Sequence, residues 1–188
     1  MRLAFSGIIG AGCLAPAGGA AATPGDTMRL ELARLDGSAF VRLSDFNGKV
    51  VVLNFWRSDC PPCVAEMPVL SEFSQAHAEV PVIGIATEEA SRARRFVDRY
   101  RIAYLQLSAP AQSDGLLRRF GNATGALPYT VVLNAQHRIC LSRVGAVDTQ
   151  WLKTALGRCS GQYPRLGAKP NDPHQLNTAK KALDRWRP

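Results

Sequence analysis

Residues 50–70, VVVLNFWRSDCPPCVAEMPVL, decide how this chain is read. The stretch opens with an apolar run, Val50 to Trp56, broken only by Asn54 and rich in β-branched and aromatic residues. Such a run predicts a strand buried on both faces. Cys60-Pro61-Pro62-Cys63 then sets two thiols two residues apart, and an amphipathic stretch follows with Val64, Met67 and Leu70 at helical spacing. Cys60 therefore falls where a helix begins. Unpaired backbone N–H groups and the helix dipole stabilise an anion there, so a thiolate at Cys60 has a lowered pKa and becomes a nucleophile. Cys63, one turn further in, is placed to attack a mixed disulfide and release product. Pro68 lies inside the same helix, where it removes a hydrogen bond and is expected to kink the axis.

Other readings of the cysteine pair are weaker. Half of a zinc site needs a second pair at suitable spacing, and the other downstream cysteines, Cys140 and Cys159, are too far apart to form one. A purely structural bridge over so short a loop would constrain little of the unfolded chain.

Outward from this stretch, Asp36-Gly37 between Leu30–Leu35 and Ala39–Leu43 predicts a β-hairpin. Val80–Ala86 is a strand, and Thr87 is the expected N-cap of a helix with Glu88 and Glu89 in its first turn and Phe96, Val97 and Tyr100 as its apolar stripe. Tyr104–Leu107 reads as a short strand and Ser113–Phe120 as a short helix. Tyr129–Leu133 and Ile139–Val144 are strands joined by a turn at Asn134–Arg138, and Asp148 caps a last helix to about Leu156. This order predicts an α/β fold, a mixed sheet with helices on both faces.

The chain has 188 residues, 46% hydrophobic, with mean hydropathy −0.07, enough for one domain with a good core. Arg2, the apolar Leu3–Leu14 and the small residues Gly18–Ala22 read as a secretory signal over residues 1–22. Cys13, preceded by Gly10-Ala11-Gly12, leaves lipid anchoring as an alternative. A domain over 23–160 and a basic Pro/Gly-containing tail over 161–188, with a short helix at Gln175–Trp186, complete the expected organisation. Net charge is +8. Part of it is local, because the tail from Ser160 holds six Lys/Arg against two Asp. No basic run with interleaved aromatics points to nucleic acid.

Taken together, Gly48-Lys49, Asn54-Phe55-Trp56, Cys60 to Cys63 and Glu66-Met67-Pro68 resemble the thioredoxin superfamily, and within it the TlpA-like and ResA-like branch of bacterial extracytoplasmic thiol–disulfide oxidoreductases. The resemblance covers about Leu30 to Leu156. It implies a thioredoxin-like fold with an N-terminal hairpin, and Pro128, just before a strand, as a cis-proline facing the cysteines. A cis X-Pro bond exposes the preceding backbone, which can pair with an extended substrate. The resemblance also implies that Glu66 is a buried proton acceptor. The residues alone leave Glu66 open as a solvated first-turn acid favoured by the helix dipole. Thioredoxins proper carry a buried Asp where this chain has Asn54, and the family commonly has Trp where it has Asp59. A carboxylate beside Cys60 disfavours the thiolate.

The function so implied is a periplasmic reductant of protein disulfides, in cytochrome c maturation or at copper-site cysteines. Its catalytic residues would be Cys60, Cys63, Glu66 and Pro128, with no cofactor or metal. Protein disulfides would be its substrates and a membrane-embedded electron donor its partner, the chain itself a monomer. Thiol–disulfide potentials in the superfamily span about −270 to −120 mV, so the CxxC does not fix the direction of electron flow. A general oxidant remains an alternative, although such proteins usually place His between the cysteines. So does a copper carrier, for which Met67 and His77 are the nearest soft ligands. A peroxidase needs a different cysteine setting. Cys140 and Cys159 are expected to form a structural disulfide in an oxidising compartment, with two buried free thiols as the alternative.

Overall fold

The computed structural model describes residues 27–161. The expected signal segment with Cys13 and the tail beyond residue 161, with its expected helix, lie outside the described residues. Twelve elements follow the cysteine-centred reading closely. β1 (Glu31–Arg34) and β2 (Phe40–Arg42) form the N-terminal hairpin, and a 3-10 turn spans Leu43–Phe46. β3 (Val51–Trp56), α1 (Pro61–Ala76), β4 (Val82–Ala86), α2 (Ala90–Tyr100), β5 (Leu105–Ser108), α3 (Ser113–Arg119), β6 (Tyr129–Leu133), β7 (Ile139–Val144) and α4 (Thr149–Cys159) follow in the described residues. The seven strands make one mixed sheet in the order β2-β1-β5-β4-β3-β6-β7. β3, β4 and β5 run parallel, and the remaining neighbours are antiparallel.

β3 lies at the centre and every one of its residues is buried, the apolar ones as their run requires and Asn54 among them. Val51, Leu53 and Phe55 face one layer, with Ile83, Ile85, Leu107 and the α3 residues Leu116 and Leu117. Val50 and Val52 face the other, against Leu70 and Phe73 of α1 and Leu152 and Ala155 of α4. Trp56, at the C-terminal end of β3, joins Cys63 and Met67 of α1 and Ala93 of α2 in a third cluster. The active-site helix is thus fixed to the sheet along its whole buried face.

Three local expectations are corrected. Glu89, not Thr87, caps α2: its carboxylate accepts from the Arg92 N–H at 3.1 Å. Thr87 is used at the end of β3, where its N–H and hydroxyl both donate to the Trp56 carbonyl. The buried stripe of α2 runs through Ala93, Phe96 and Val97. Tyr100 stays 53% exposed with its ring stacked 4.4 Å from that of Phe96. The last helix runs three residues past Leu156, to Cys159. That residue is buried and bridged to Cys140, with their Cα atoms 5.7 Å apart. The bridge expected from compartment and topology is therefore present, and the free-thiol alternative is set aside. Among the described residues no helix is long and apolar enough to cross a membrane.

Candidate active site

The chain leaves β3 at Trp56 and enters α1 at Pro61, so Cys60 is the helix N-cap, in extended conformation. Pro61 and Pro62 occupy the first two helical positions, where a missing N–H costs nothing. Neither donates, so the Cys63 N–H is the first available donor, and it points at Cys60 Sγ at 3.3 Å. Cys60 is partly exposed and Cys63 fully buried. The two are joined as a disulfide, with Cα atoms 5.2 Å apart. One sulfur faces solvent and the other is held behind it, as attack followed by resolution requires.

Glu66 lies three residues beyond Cys63 on the same buried face of α1 and is only 2% exposed. The reading of Glu66 as a solvated first-turn acid is thereby overturned. One carboxylate oxygen accepts from Asn54 Nδ2 at 2.7 Å, and the other from the Val147 N–H at 2.8 Å, in the loop between β7 and α4. Burial raises its pKa to about 7, against these two hydrogen bonds, which favour the charged form. Asn54, fully buried in β3, also donates to Thr130 Oγ1 of β6 at 3.0 Å. An uncharged amide at Asn54 leaves Glu66 the one carboxyl of this buried group.

Leu127–Pro128 is a cis peptide, as the resemblance implies. Leu127 packs on the cluster that holds Cys63 and receives Cys60. The preceding loop is pinned by Asn122, a residue the sequence did not single out. Its amide donates to the Ala126 carbonyl at 2.8 Å and accepts from the Thr124 hydroxyl and the Gly125 N–H. Asn122 is buried between two loop glycines, and that flanking was the available signal.

Asp59 does not stand alone beside Cys60. Its carboxylate is bonded by Arg57 at 2.9 and 3.0 Å and reached by Arg92 at 3.6 Å. Arg57 chiefly holds its pKa below the usual carboxylate range. The charge that would disfavour the thiolate is therefore compensated. Arg92 also pairs with Glu88 at 3.2 Å. Glu88, read from sequence as a first-turn acid, is instead buried, and it accepts from both the N–H and the hydroxyl of Ser58 at 2.6 and 2.9 Å. It clamps the loop that leads into Cys60. The spacing of Glu88 and Arg92, one helical turn apart, was its only trace in the sequence.

The soft groups weighed as copper ligands are placed elsewhere. Met67 is buried in the cluster under the cysteines. His77 caps the far end of α1, its ring 4.5 Å from that of Phe73.

Comparison with known proteins agrees with this geometry. A protein named thiol-disulfide oxidoreductase ResA in Halalkalibacterium halodurans is 32% identical over 123 residues, 63% of this chain and 66% of the relative. A protein of the same name in Geobacillus thermodenitrificans is 26% identical over 119 residues, 61% of this chain and 66% of the relative. The chain thus spans just under two thirds of the length of these relatives. Among solved structures, a DsbF homologue from Corynebacterium diphtheriae superimposes with TM-score 0.61 at 28% identity, covering 69% of this chain and 83% of the other. A secreted thiol-disulfide isomerase from Corynebacterium glutamicum gives TM-score 0.62 at 25% identity, covering 69% and 82%. The fold is thioredoxin-like, and since the family description Redoxin matches residues 16–156 of the 188, the chain belongs to the Redoxin family.

Proposed function

We propose that this chain is a thiol–disulfide oxidoreductase that reduces protein disulfides outside the cytoplasm. The observation that carries the reading is the pairing of a partly exposed Cys60 at a helix N-terminus with a fully buried Cys63 above a buried, hydrogen-bonded Glu66.

The steps follow from the placement of the groups. The Cys60 thiolate attacks one sulfur of a substrate disulfide, forming a mixed disulfide, and the other substrate sulfur leaves as a thiolate that takes up a proton. Cys63 then loses its proton, with Glu66 as acceptor, and attacks Cys60 Sγ. The bond from Cys60 to substrate breaks, the second substrate thiol departs, and the Cys60–Cys63 disulfide closes. A carboxyl with pKa raised to about 7 both accepts and returns a proton near neutral pH. The loop at Leu127–Pro128, packed against the cysteine cluster, offers backbone for an extended substrate segment.

Export rests on the sequence of residues 1–22, on the secreted relatives, and on the Cys140–Cys159 bridge, which persists in oxidising compartments. In this reading residues 23–160 are the catalytic domain and 161–188 a basic tail. Substrates are cysteine pairs of apocytochromes or copper sites, and electrons come from a membrane-embedded donor to a monomeric protein. The test is catalysed reduction of insulin disulfides with and without a metal chelator. Turnover that needs both Cys60 and Cys63 and ignores the chelator supports an enzyme. Chelator-sensitive behaviour, or none above the chemical reductant alone, overturns it in favour of the copper carrier.

A further inference from the structure

On the sheet face beneath α1, one row of the register is polar. Gln106 of β5, Gly84 of β4, Asn54 of β3 and Thr130 of β6 stand side by side, whereas the next row holds Val82, Val52 and Val132. Asn54 and Thr130 serve Glu66. Gln106 serves something else. It is 7% exposed, and its Oε1 accepts from the Trp56 indole Nε1–H at 2.9 Å. To reach the indole, the Gln106 amide lies across β4 at Gly84, where a Cβ would stand 2.1 Å from Oε1. A glycine in a central strand loses side-chain packing and costs backbone entropy. Room for Gln106 is the reason for it here.

Trp56 is the fully buried residue through which the sheet meets the cysteines. Its carbonyl is held by the Thr87 N–H and hydroxyl, its ring stands 5.7 Å from that of Phe96, and it shares a cluster with Cys63 and Met67. With the carbonyl and the indole nitrogen both tied, the ring has one orientation and forms a fixed wall of the Cys63 site.

The geometry points to Gln106 as a positioning residue for the resolving step: by fixing the Trp56 indole across Gly84, it keeps Cys63 aligned for attack on the Cys60 mixed disulfide. This inference rests on the dithiol reading proposed above. Loss of the hydrogen bond leaves a buried N–H without a partner and frees the ring to shift. Formation of the mixed disulfide at the exposed Cys60 does not depend on that wall, whereas its resolution by Cys63 does.

The test uses the full chain carrying Cys13→Ser, with the Cys60–Cys63 pair reduced and the Cys140–Cys159 bridge left intact, and dithiobis(nitrobenzoate), so that only Cys60 and Cys63 release nitrobenzoate thiolate. One nitrobenzoate thiolate is released when Cys60 attacks, and a second when Cys63 displaces it from Cys60. Gln106→Leu should leave the first release unchanged and slow the second about fivefold, the rate change that the net worth of one intramolecular hydrogen bond corresponds to. The Trp56 indole N–H resonance should move upfield in the same variant, a change that general loss of stability does not produce. Gly84→Ala, whose methyl displaces the same amide, should show the same split between phases, and it carries the test if Gln106→Leu does not fold. The double variant should be no slower than either single one, since both remove one interaction. Variants that resolve at the wild-type rate, or that slow both phases alike, overturn the inference while leaving the dithiol reading intact. A wild type with no second release overturns both.

Discussion

Glu66→Gln tests the buried carboxyl through its effect on stability. In the folded chain Glu66 holds its proton up to about pH 7, whereas the ordinary value is 4.5. Between those values the native state binds the extra proton. The stability it contributes is therefore full below pH 4.5 and is lost as pH rises through about 7. Each pH unit in that window is worth ~1.4 kcal/mol, which gives ~3 kcal/mol across it. That is a large fraction of the total stability of a small domain. The cause is burial, offset by the N–H groups of Asn54 and Val147, and glutamine removes the ionisation while keeping the shape. The assay is urea unfolding of the oxidised protein at about pH 4 and about pH 8, below and above the window, so that no active-site thiol titrates. Other groups contribute equally to both proteins, so the difference between the two pH dependences isolates Glu66. The wild type should lose ~3 kcal/mol more than Glu66→Gln between those conditions. Parallel curves would refute the raised pKa of the buried carboxyl, and with it Glu66 as a proton acceptor near neutral pH.

Cys63→Ser should accumulate covalent substrate complexes through Cys60 on non-reducing gels, and Cys60→Ser should not; the reverse pattern reassigns the nucleophile. Asp59→Asn leaves Arg57 without its bonded carboxylate and Arg92 paired with Glu88 alone, so it should lower the pKa of Cys60 in an alkylation-rate profile, while Arg57→Ala should raise it. Both shifts should shrink in salt, because exposed charges are screened over about 8 Å at physiological ionic strength; salt-independent shifts contradict the electrostatic cause. Replacing Cys140 and Cys159 by Ala opens a loop with sequence separation 19 and should cost roughly 3 kcal/mol in urea unfolding. An unchanged midpoint would mean that the bridge stabilises nothing.

The sequence revealed most where one residue type can do one job. A buried, mostly apolar β3, a CxxC at a helix start and Asp36-Gly37 between two short strands each admit one local structure, and each appears at the expected place. Pattern failed where a polar side chain could serve either its own helix or a distant element. Thr87 reads as a helix cap, yet its hydroxyl and N–H answer the carbonyl of Trp56, which the sheet brings beside it. Glu88 reads as a first-turn acid, yet it bonds Ser58, thirty residues earlier. Glu66 was undecided for the same reason: the N–H that meets its second oxygen belongs to Val147, and no local spacing announces a contact across 81 residues. Gln106 and Gly84 are legible only together, once the register sets them side by side.

The central claim is that Cys60 and Cys63 act as one two-electron couple, and a redox titration measures this directly. Protein equilibrated in thiol–disulfide buffers of graded potential, then alkylated and weighed, reports the fraction of the active-site pair that is oxidised while Cys140–Cys159 serves as an internal reference. The account predicts a single transition in which both thiols are lost together, with a tenfold change per ~30 mV, nearer the reducing value of about −270 mV than the oxidising value of about −120 mV. Two separate one-thiol steps would contradict the couple itself, and a single transition near the oxidising end would contradict its use as a reductant.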